Sequence, residues 1–348
     1  MRAFSFVRKN IGIDLGTSNF LIYLEKRGIV VNEPMIVAVN TKTNKILDVG
    51  DGARRMLGRT PAHVEIVRPL HGGVISDFEM SQEIIRHFLK KISGGSAFTS
   101  YRKAVVGVPS SLTEVERKSV EDAVMGAGVF KPYLIDEPLA AALGARLPVH
   151  EPTASMIVDI GGGTTEIAII SMAGTVTSKS LRIAGDKLND DIMRFVRDEF
   201  KLAIGEATAE DIKLAIGSAL PITEKLEMHI RGRDLATGLP KELIIRDTQV
   251  RAAIVKSLKG IVDAIREVLE TSPPELSGDI LRQGIHLCGG GSLLRGIDQL
   301  VARELSVRTT VVDDPLTCVA RGTGVAIEQL PKYLHLFDNP QNPKDIKL

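Results

Sequence analysis

The stretch Ile11–Phe20, IGIDLGTSNF, carries an apolar run into a carboxylate, then a glycine and two hydroxyl residues, before turning apolar again. The apolar flanks read as two buried strands, and Asp14-Leu15-Gly16-Thr17-Ser18 as the tight turn between them. Taken alone the turn says little, because an aspartate satisfying nearby turn amides produces the same local pattern. The second half of the chain repeats it. In SMIVDIGGGTTEIAII, Ser155–Ile170, an apolar strand again meets an aspartate, one aliphatic residue, glycine, small hydroxyl residues and a further apolar strand. Two copies, one per half, imply a duplicated unit with two equivalent hairpins.

The composition is that of an ordinary globular chain of about two domains. There are 348 residues, 44% hydrophobic and 25% charged, enough apolar material for sizeable cores. A net charge of +1 supplies no basic field for general nucleic-acid binding. The two cysteines, Cys288 and Cys318, form no CxxC or Cys/His cluster, which argues against a disulfide framework or structural zinc and fits a reducing compartment. No apolar run reaches the roughly 18 residues of a membrane span, and MRAFSFVRKN is not a secretory signal, so a cytoplasmic location is expected.

Strand-like and helix-like segments alternate, the pattern of an α/β architecture. AVVGVPSSL (Ala104–Leu112) reads as a buried strand and turn, and TEVERKSVEDAVMGAG (Thr113–Gly128) as a helix capped by a hydroxyl residue and closed by glycine. YLIDEPLAAALGARL (Tyr133–Leu147) repeats that plan, with Pro138 at the start of an alanine-rich helix.

Glycine turns of this kind leave several backbone N–H groups facing one concavity, a nest suited to phosphate oxygens, with Thr17, Ser18 and Thr164 adding hydroxyls. Two aspartates, Asp14 and Asp159, brought to the same phosphates would repel them without a cation, so the pair implies Mg²⁺ held partly through water. A third element points the same way. In IHLCGGGSLLRGIDQLVAREL (Ile285–Leu305) a strand enters Gly289-Gly290-Gly291, Ser292 is placed to cap a helix, and an apolar stripe follows at Leu293, Leu294, Ile297, Leu300 and Val301. A tight strand-to-helix junction would look similar. GxxxxGK[ST] is absent, so the chain is not a P-loop enzyme.

DLGTSN, DIGGGTTE and CGGGSLLRGI, in this order and over this length, resemble the phosphate-1, phosphate-2 and adenosine motifs of the actin superfamily, which includes chaperone ATPase domains and sugar kinases. Within it, GIVVNEP (Gly28–Pro34), RPLHGGVISDF (Arg68–Phe78), VVGVPSSLTEVER and IDEPLAAALGA are similar to the MreB family of bacterial actins, which determine rod shape; the likeness runs from Ile11 to Glu328. The resemblance implies actin-like duplicated ribonuclease-H-type domains around a nucleotide cleft, each with a smaller subdomain. Residues 1–148 would form domain I, with its small subdomain near 33–66. Residues 149–330 would form domain II, with its small subdomain near 185–246, and 331–348 a loosely ordered tail.

Carried over by resemblance, Thr17, Ser18 and Asn19 hold the phosphates from one side, and Gly161, Gly162, Gly163 and Thr164 from the other. Gly290, Gly291, Ser292 and Leu293 face the nucleoside. Glu210, Asp211, Ile212 and Lys213 flank the ribose and base, in a helix where Thr208 and Asp211 also form a capping-box pattern and Glu210–Lys213 an i,i+3 pair. Asp14 and Asp159 hold Mg²⁺, mainly through water. Glu137 is the candidate for positioning the attacking water, with Thr164 assisting, although Glu137 also suits the dipole of the helix opening at Pro138. Asp136 stands where a second glutamate is common.

The family also gives the N-terminus a meaning. Phe4, Phe6 and Val7, interleaved with Arg2, Arg8 and Lys9, would contact the inner face of the cytoplasmic membrane, and SGGSAFTSYRK would add Phe98 as a second, modest anchor. A disordered tail and an ordinary loop fit the same residues. The expected function is slow ATP hydrolysis coupled to assembly of antiparallel paired filaments, organising peptidoglycan synthesis with MreC-, MreD- and RodZ-type proteins. A small-molecule kinase of the same fold and a filament with a positioning role are the alternatives.

Overall fold

The structure is a computed structural model that describes residues 9–93 and 101–337. Phe4, Phe6, Val7 and Phe98 lie outside these residues, as does the chain after 337. Two compact units emerge: one comprises residues up to 153, 170–176 and from 316 onward, the other 154–169 and 177–315.

The first unit opens with strands β1 (Lys9–Leu15), β2 (Asn19–Leu24) and β3 (Gly28–Pro34). Strands β4 (Val37–Asn40), β5 (Lys45–Val49) and β6 (Val64–Val67) then form a small sheet in the order β5-β4-β6, with helix α1 (Asp51–Met56) between β5 and β6 in the chain. A short hairpin, β7 (Leu70–His71) and β8 (Val74–Ile75), precedes α2 (Phe78–Ile92), β9 (Tyr101–Val108), α3 (Glu114–Gly126), β10 (Val129–Asp136) and α4 (Glu137–Gly144). The main sheet runs β10-β9-β1-β2-β3, with β1 parallel to β9 and antiparallel to β2. Helix α3 is capped by a hydroxyl residue as expected, Thr113, which the structure shows in a capping box with Glu116.

The second unit contains β11 (Ser155–Ile160), most of β12 (Thr165–Ser171) and of β13 (Gly174–Leu181), whose connecting ends at 170–176 belong to the first unit, and then α5 (Gly185–Phe200), β14 (Leu202–Ala203), α6 (Glu206–Ile216), β15 (Glu227–Asp234) and β16 (Pro240–Arg246). Helices α7 (Asp247–Glu270) and α8 (Pro274–Gln283) lead to β17 (Ile285–Cys288), α9 (Ile297–Leu305) and β18 (Thr309–Val311). Its main sheet runs β13-β12-β11-β17-β18. Read from the hairpin side, the two sheets share one plan: third, second and first strands of the unit, then the two crossover strands. The duplication inferred from two short motifs is therefore a duplication of whole sheets.

Each sheet is buried on both faces, so its central strands read as continuous apolar runs. Ile11, Ile13, Ile22, Val106 and Leu134 make the core of the first unit with Phe20 stacked on Phe88 of α2 at 5.4 Å. Met156, Val158, Ile167, Ile192, Ile254, Ile261 and Leu287 belong to the core of the second.

Helix α10 (Cys318–Glu328) falls in the second half by chain order, inside the stretch 149–330, yet it packs on α4, β1 and β9 of the first unit. Small residues make this contact possible. A Cβ on Gly322 would lie 1.7 Å from the carbonyl oxygen of Ala140, and one on Gly144 would lie 1.9 Å from that of Cys318. The Cys318 thiol donates to the Ala141 carbonyl at 3.1 Å. Every residue of α4 is buried, which explains its alanine-rich, all-round apolar sequence.

The expectation of loose order after Gln329 is corrected as far as residue 337. Leu330, Tyr333 and Phe337 are buried, the last with its ring 5.3 Å from Tyr133, and Tyr333 stacks on His150. Apolar anchors spaced through a proline-containing segment outweigh its polar composition. Replacing Gly322 with alanine should destabilise the fold by about 2–4 kcal/mol, since two helix backbones must separate. Gly278→Ala, in open space on α8, should be neutral or slightly stabilising. Urea unfolding of both variants checks the pair, and equal midpoints would contradict the packing account.

Candidate functional site

In the first unit the turn between β1 and β2 is shaped by contacts on every side. Asp14 is 9% exposed, pairs in register with Leu21 of β2 and lies opposite Gly107 of β9. A Cβ on Gly107 would stand 3.7 Å from Cγ of Glu137, so Asp14 and Glu137 flank the same glycine at the strand ends. Glu137 opens α4 and is buried, a costly position for a carboxylate. The neighbouring Asp136 is engaged elsewhere, in an ion pair with Arg117 of α3 at 2.8 Å.

Thr17 is buried, and its hydroxyl accepts the backbone N–H of Gly73 at 2.9 Å, leaving its own proton free to donate. Gly73 has φ of +76°, and a side chain there would strike Pro109. The RPLHGGVISDF stretch is thus a strap linking the Thr17 turn to the turn after β9. Ser18 accepts from the Met35 amide through its carbonyl, and Asn19 begins β2 opposite Pro34.

The second unit builds its turn differently. The Gly161 amide donates to the Thr164 carbonyl at 2.9 Å and closes the loop over Gly162 and Gly163. The first amides of α5 then donate into it, Gly185 to Gly161 at 3.1 Å and Asp186 to Gly162 at 2.8 Å. From α6, the Lys213 ammonium reaches the Gly185 carbonyl at 3.0 Å and Glu210 at 2.8 Å, and Asn189 of α5 donates to Glu210 at 2.6 Å. Glu210 and Lys213 therefore join the glycine turn, whereas Asp211 is exposed and Ile212 packs in the core. The capping box expected at Thr208 and Asp211 does not form: α6 begins one turn earlier at Glu206, with Gly205 as its cap.

The triple glycine lies against β11. Gly289 has φ of +76°, and a Cβ there would lie 2.2 Å from the Asp159 carboxylate and 2.4 Å from the Ile160 carbonyl, so glycine is required on both counts. A Cβ on Gly291 would lie 2.3 Å from Cγ2 of Ile160. Ser292 does not cap a long helix as expected. Its hydroxyl turns back to the Gly289 carbonyl at 2.7 Å, Gly290–Leu293 makes one 3₁₀ turn, and α9 begins only at Ile297, after the left-handed Gly296. Ser292 is buried and Leu293 is 54% exposed. Arg295 fastens this turn to the end of α6 through the Leu214 and Gly217 carbonyls, both at 3.2 Å.

Asp159 carries the site's electrostatic signature. Burial pushes its carboxyl up to about 7, reinforced by the charge of Glu166 and only partly offset by a hydrogen bond from Cys288. Glu166 is itself buried on β12, where Ser180 donates to it. Sequence reading missed Glu166, Cys288, Gly73, Gly185 and Asn189. A glutamate inside the apolar run TTEIAII was the one visible signal, since a charge in a buried strand demands an explanation. Among the described residues no group of three or more His, Cys, Asp or Glu could hold a metal, and no helix is long and apolar enough to cross a membrane.

A model of the family described as MreB/Mbl protein matches residues 8–335. The cell shape-determining protein Mbl of Bacillus subtilis is 45% identical over 324 residues, which cover 93% of this chain and 97% of that protein. The cell shape-determining protein MreB of Escherichia coli is 45% identical over 328 residues, covering 93% and 94%. Among solved structures, MreB5 of Spiroplasma citri, bound to ADP or to AMPPNP, matches with a TM-score of 0.90 and 38% identity over 94% of this chain.

A carboxyl with a folded-state pKa near 7 keeps a proton that the unfolded chain releases near pH 4, so stability falls as pH rises through that window and levels off above it. Asp159→Asn should therefore raise the melting temperature of the nucleotide-free protein by several degrees at pH 8 and leave it little changed at pH 4. Thermal scans of both proteins at the two pH values check this, and a gain at pH 4 equal to that at pH 8 would contradict it.

Proposed function

The chain belongs to the MreB/Mbl family, and from that premise we propose that it is an ATP-driven, actin-like filament protein that maintains cell shape. The observation that carries the reading is the paired motif. Two sheets of the same strand order each end their first strand on a buried aspartate, Asp14 or Asp159, followed by a turn of glycine and small hydroxyl residues. Relatives named as cell shape-determining proteins, and a neighbour solved with ADP and with AMPPNP, support shape determination and nucleotide binding.

In this reading both turns hold one ATP. Thr17, Ser18 and Asn19 serve the phosphates from the first unit; Gly161, Gly162, Gly163 and Thr164 serve them from the second. Gly290, Gly291, Ser292 and Leu293 take the nucleoside, with the Glu210–Lys213 segment at the ribose and base. The donor set suits Mg²⁺. A buried carboxylate whose proton affinity is raised by burial and by a second carboxylate is short of positive charge, and Mg²⁺ is commonly held by one or two carboxylates plus water and phosphate. Asp14 and Asp159 would hold the ion, mainly through water, and when bound it would supply the positive charge that offsets the phosphates.

Glu137 orients the attacking water and accepts its proton, a role its burial beside Asp14 favours, because few competing waters reach it. Thr164, buried and with no hydrogen-bond partner for its hydroxyl among the described residues, assists. The small sheets β5-β4-β6 and β14-β15-β16 are the cores of the smaller subdomains. The filament is an antiparallel double protofilament at the inner face of the cytoplasmic membrane, held there by Phe4, Phe6, Val7 and Phe98. There it organises peptidoglycan synthesis with MreC-, MreD- and RodZ-type partners.

Glu137→Ala should slow phosphate release by about 10²-fold or more while leaving adenine nucleotide bound, as judged by calorimetry and a phosphate assay. Hydrolysis at the wild-type rate would remove Glu137 from its role. Sedimentation with ATP and Mg²⁺ tests the polymer itself, and a protein that stays in the supernatant at high concentration would favour the small-molecule kinase instead.

A further inference from the structure

Register in the first unit puts the starts of three strands on one line. Lys9 of β1 pairs with Tyr101 of β9, and Tyr101 with Val129 of β10. The β2–β3 turn comes to the same end, because Leu24 lies opposite both Ile11 and Gly28. The chemistry gathered there is one-sided. Lys26, Arg27 and Arg102 are exposed and Lys9 is half-buried. The acids nearby are already engaged. Glu25 accepts from Asn10, and Glu328 accepts from the Tyr23 hydroxyl and the Lys26 amide.

Phe130, the second residue of edge strand β10, is 76% exposed, against 42% for Phe78, the next most exposed phenylalanine described. A lone exposed aromatic on an edge strand could await a partner strand. Pro132, two residues on, has no N–H to offer one, which argues against strand addition. An exposed aromatic ring on the same sheet end as these cations matches the interface of an anionic bilayer, where phenyl groups settle at the headgroup boundary and Lys and Arg attract acidic lipid. The chain outside the described residues is consistent with this, since Met1–Arg8, with its own phenylalanines and arginines, joins the fold at Lys9.

We propose that this end of the first sheet is a lipid-docking surface: Phe130 enters the headgroup region, and Lys9, Lys26, Arg27 and Arg102 collect anionic headgroups. It rests on the membrane reading above and adds a folded, pre-formed surface to the terminal segment.

The chain has no tryptophan, so Phe130→Trp in the full-length protein gives a single reporter. With vesicles of phosphatidylglycerol and phosphatidylcholine its emission should move to shorter wavelength, and with phosphatidylcholine alone it should stay put. Phe130→Ser should weaken co-sedimentation with the anionic vesicles about five- to tenfold, and the double variant Lys26→Glu, Arg27→Glu by a comparable factor. If wild-type protein pellets with anionic vesicles but the reporter does not shift and Phe130→Ser pellets equally, this surface is refuted and the membrane reading survives. If wild-type protein does not pellet with the vesicles at all, both are refuted.

Discussion

A carboxylate placed where little water reaches it constrains its whole surroundings, and Asp159 does this in the second unit. Backbone must close over it without adding bulk, so position 289 is confined to glycine by both φ and space. The strand carrying that glycine, β17, is held in parallel register with β11, setting Cys288 beside Asp159. The glycine turn following Asp159 is then fixed by the opening amides of α5, and α5 by Lys213 from α6. Each contact is modest alone, about 1 kcal/mol for a neutral hydrogen bond and more for a charged one. Linked together, they leave few degrees of freedom for anything bound there.

The two units solve the same problem with different parts. Around Asp14 the support is a strap: Thr17 anchors Gly73, and Gly73 rests on Pro109. Around Asp159 it is a helix start. Neither support is visible in the motif itself, although the motif and strand order are shared. Duplication preserved the sheet and the carboxylate, and the contacts that rigidify each turn diverged.

Helix α10 shows how chain order and packing part company. Its glycines at 322 and 324 reach the α4 backbone and the Tyr23 ring respectively, distances no larger side chain tolerates. The alanines of α4 are the other half of this contact. Together they close the buried face of the first sheet, beside Asp14 and Glu137, with a segment that follows the entire second unit in sequence.

The sequence by itself determined the elements whose signals are local. Apolar runs ending on Asp14 and Asp159, the hydroxyl cap at Thr113, and the i,i+3 pair of Glu210 and Lys213 all depend on neighbours within a few residues, and each was legible. So was the duplication, because the same short pattern occurs twice. Tertiary structure decided what depends on distant partners. Ser292 bonds backward because Gly289 is pinned on Asp159, α6 starts at Glu206, α10 joins the first unit, and Leu330–Phe337 packs on Tyr133 and His150. Glu166 belongs here too: its effect on Asp159 is a through-space charge interaction, which spacing along the chain does not encode. Hydrogen-bond caps and periodicity are written in adjacent residues, whereas burial, clash and field are set by whatever the fold brings alongside.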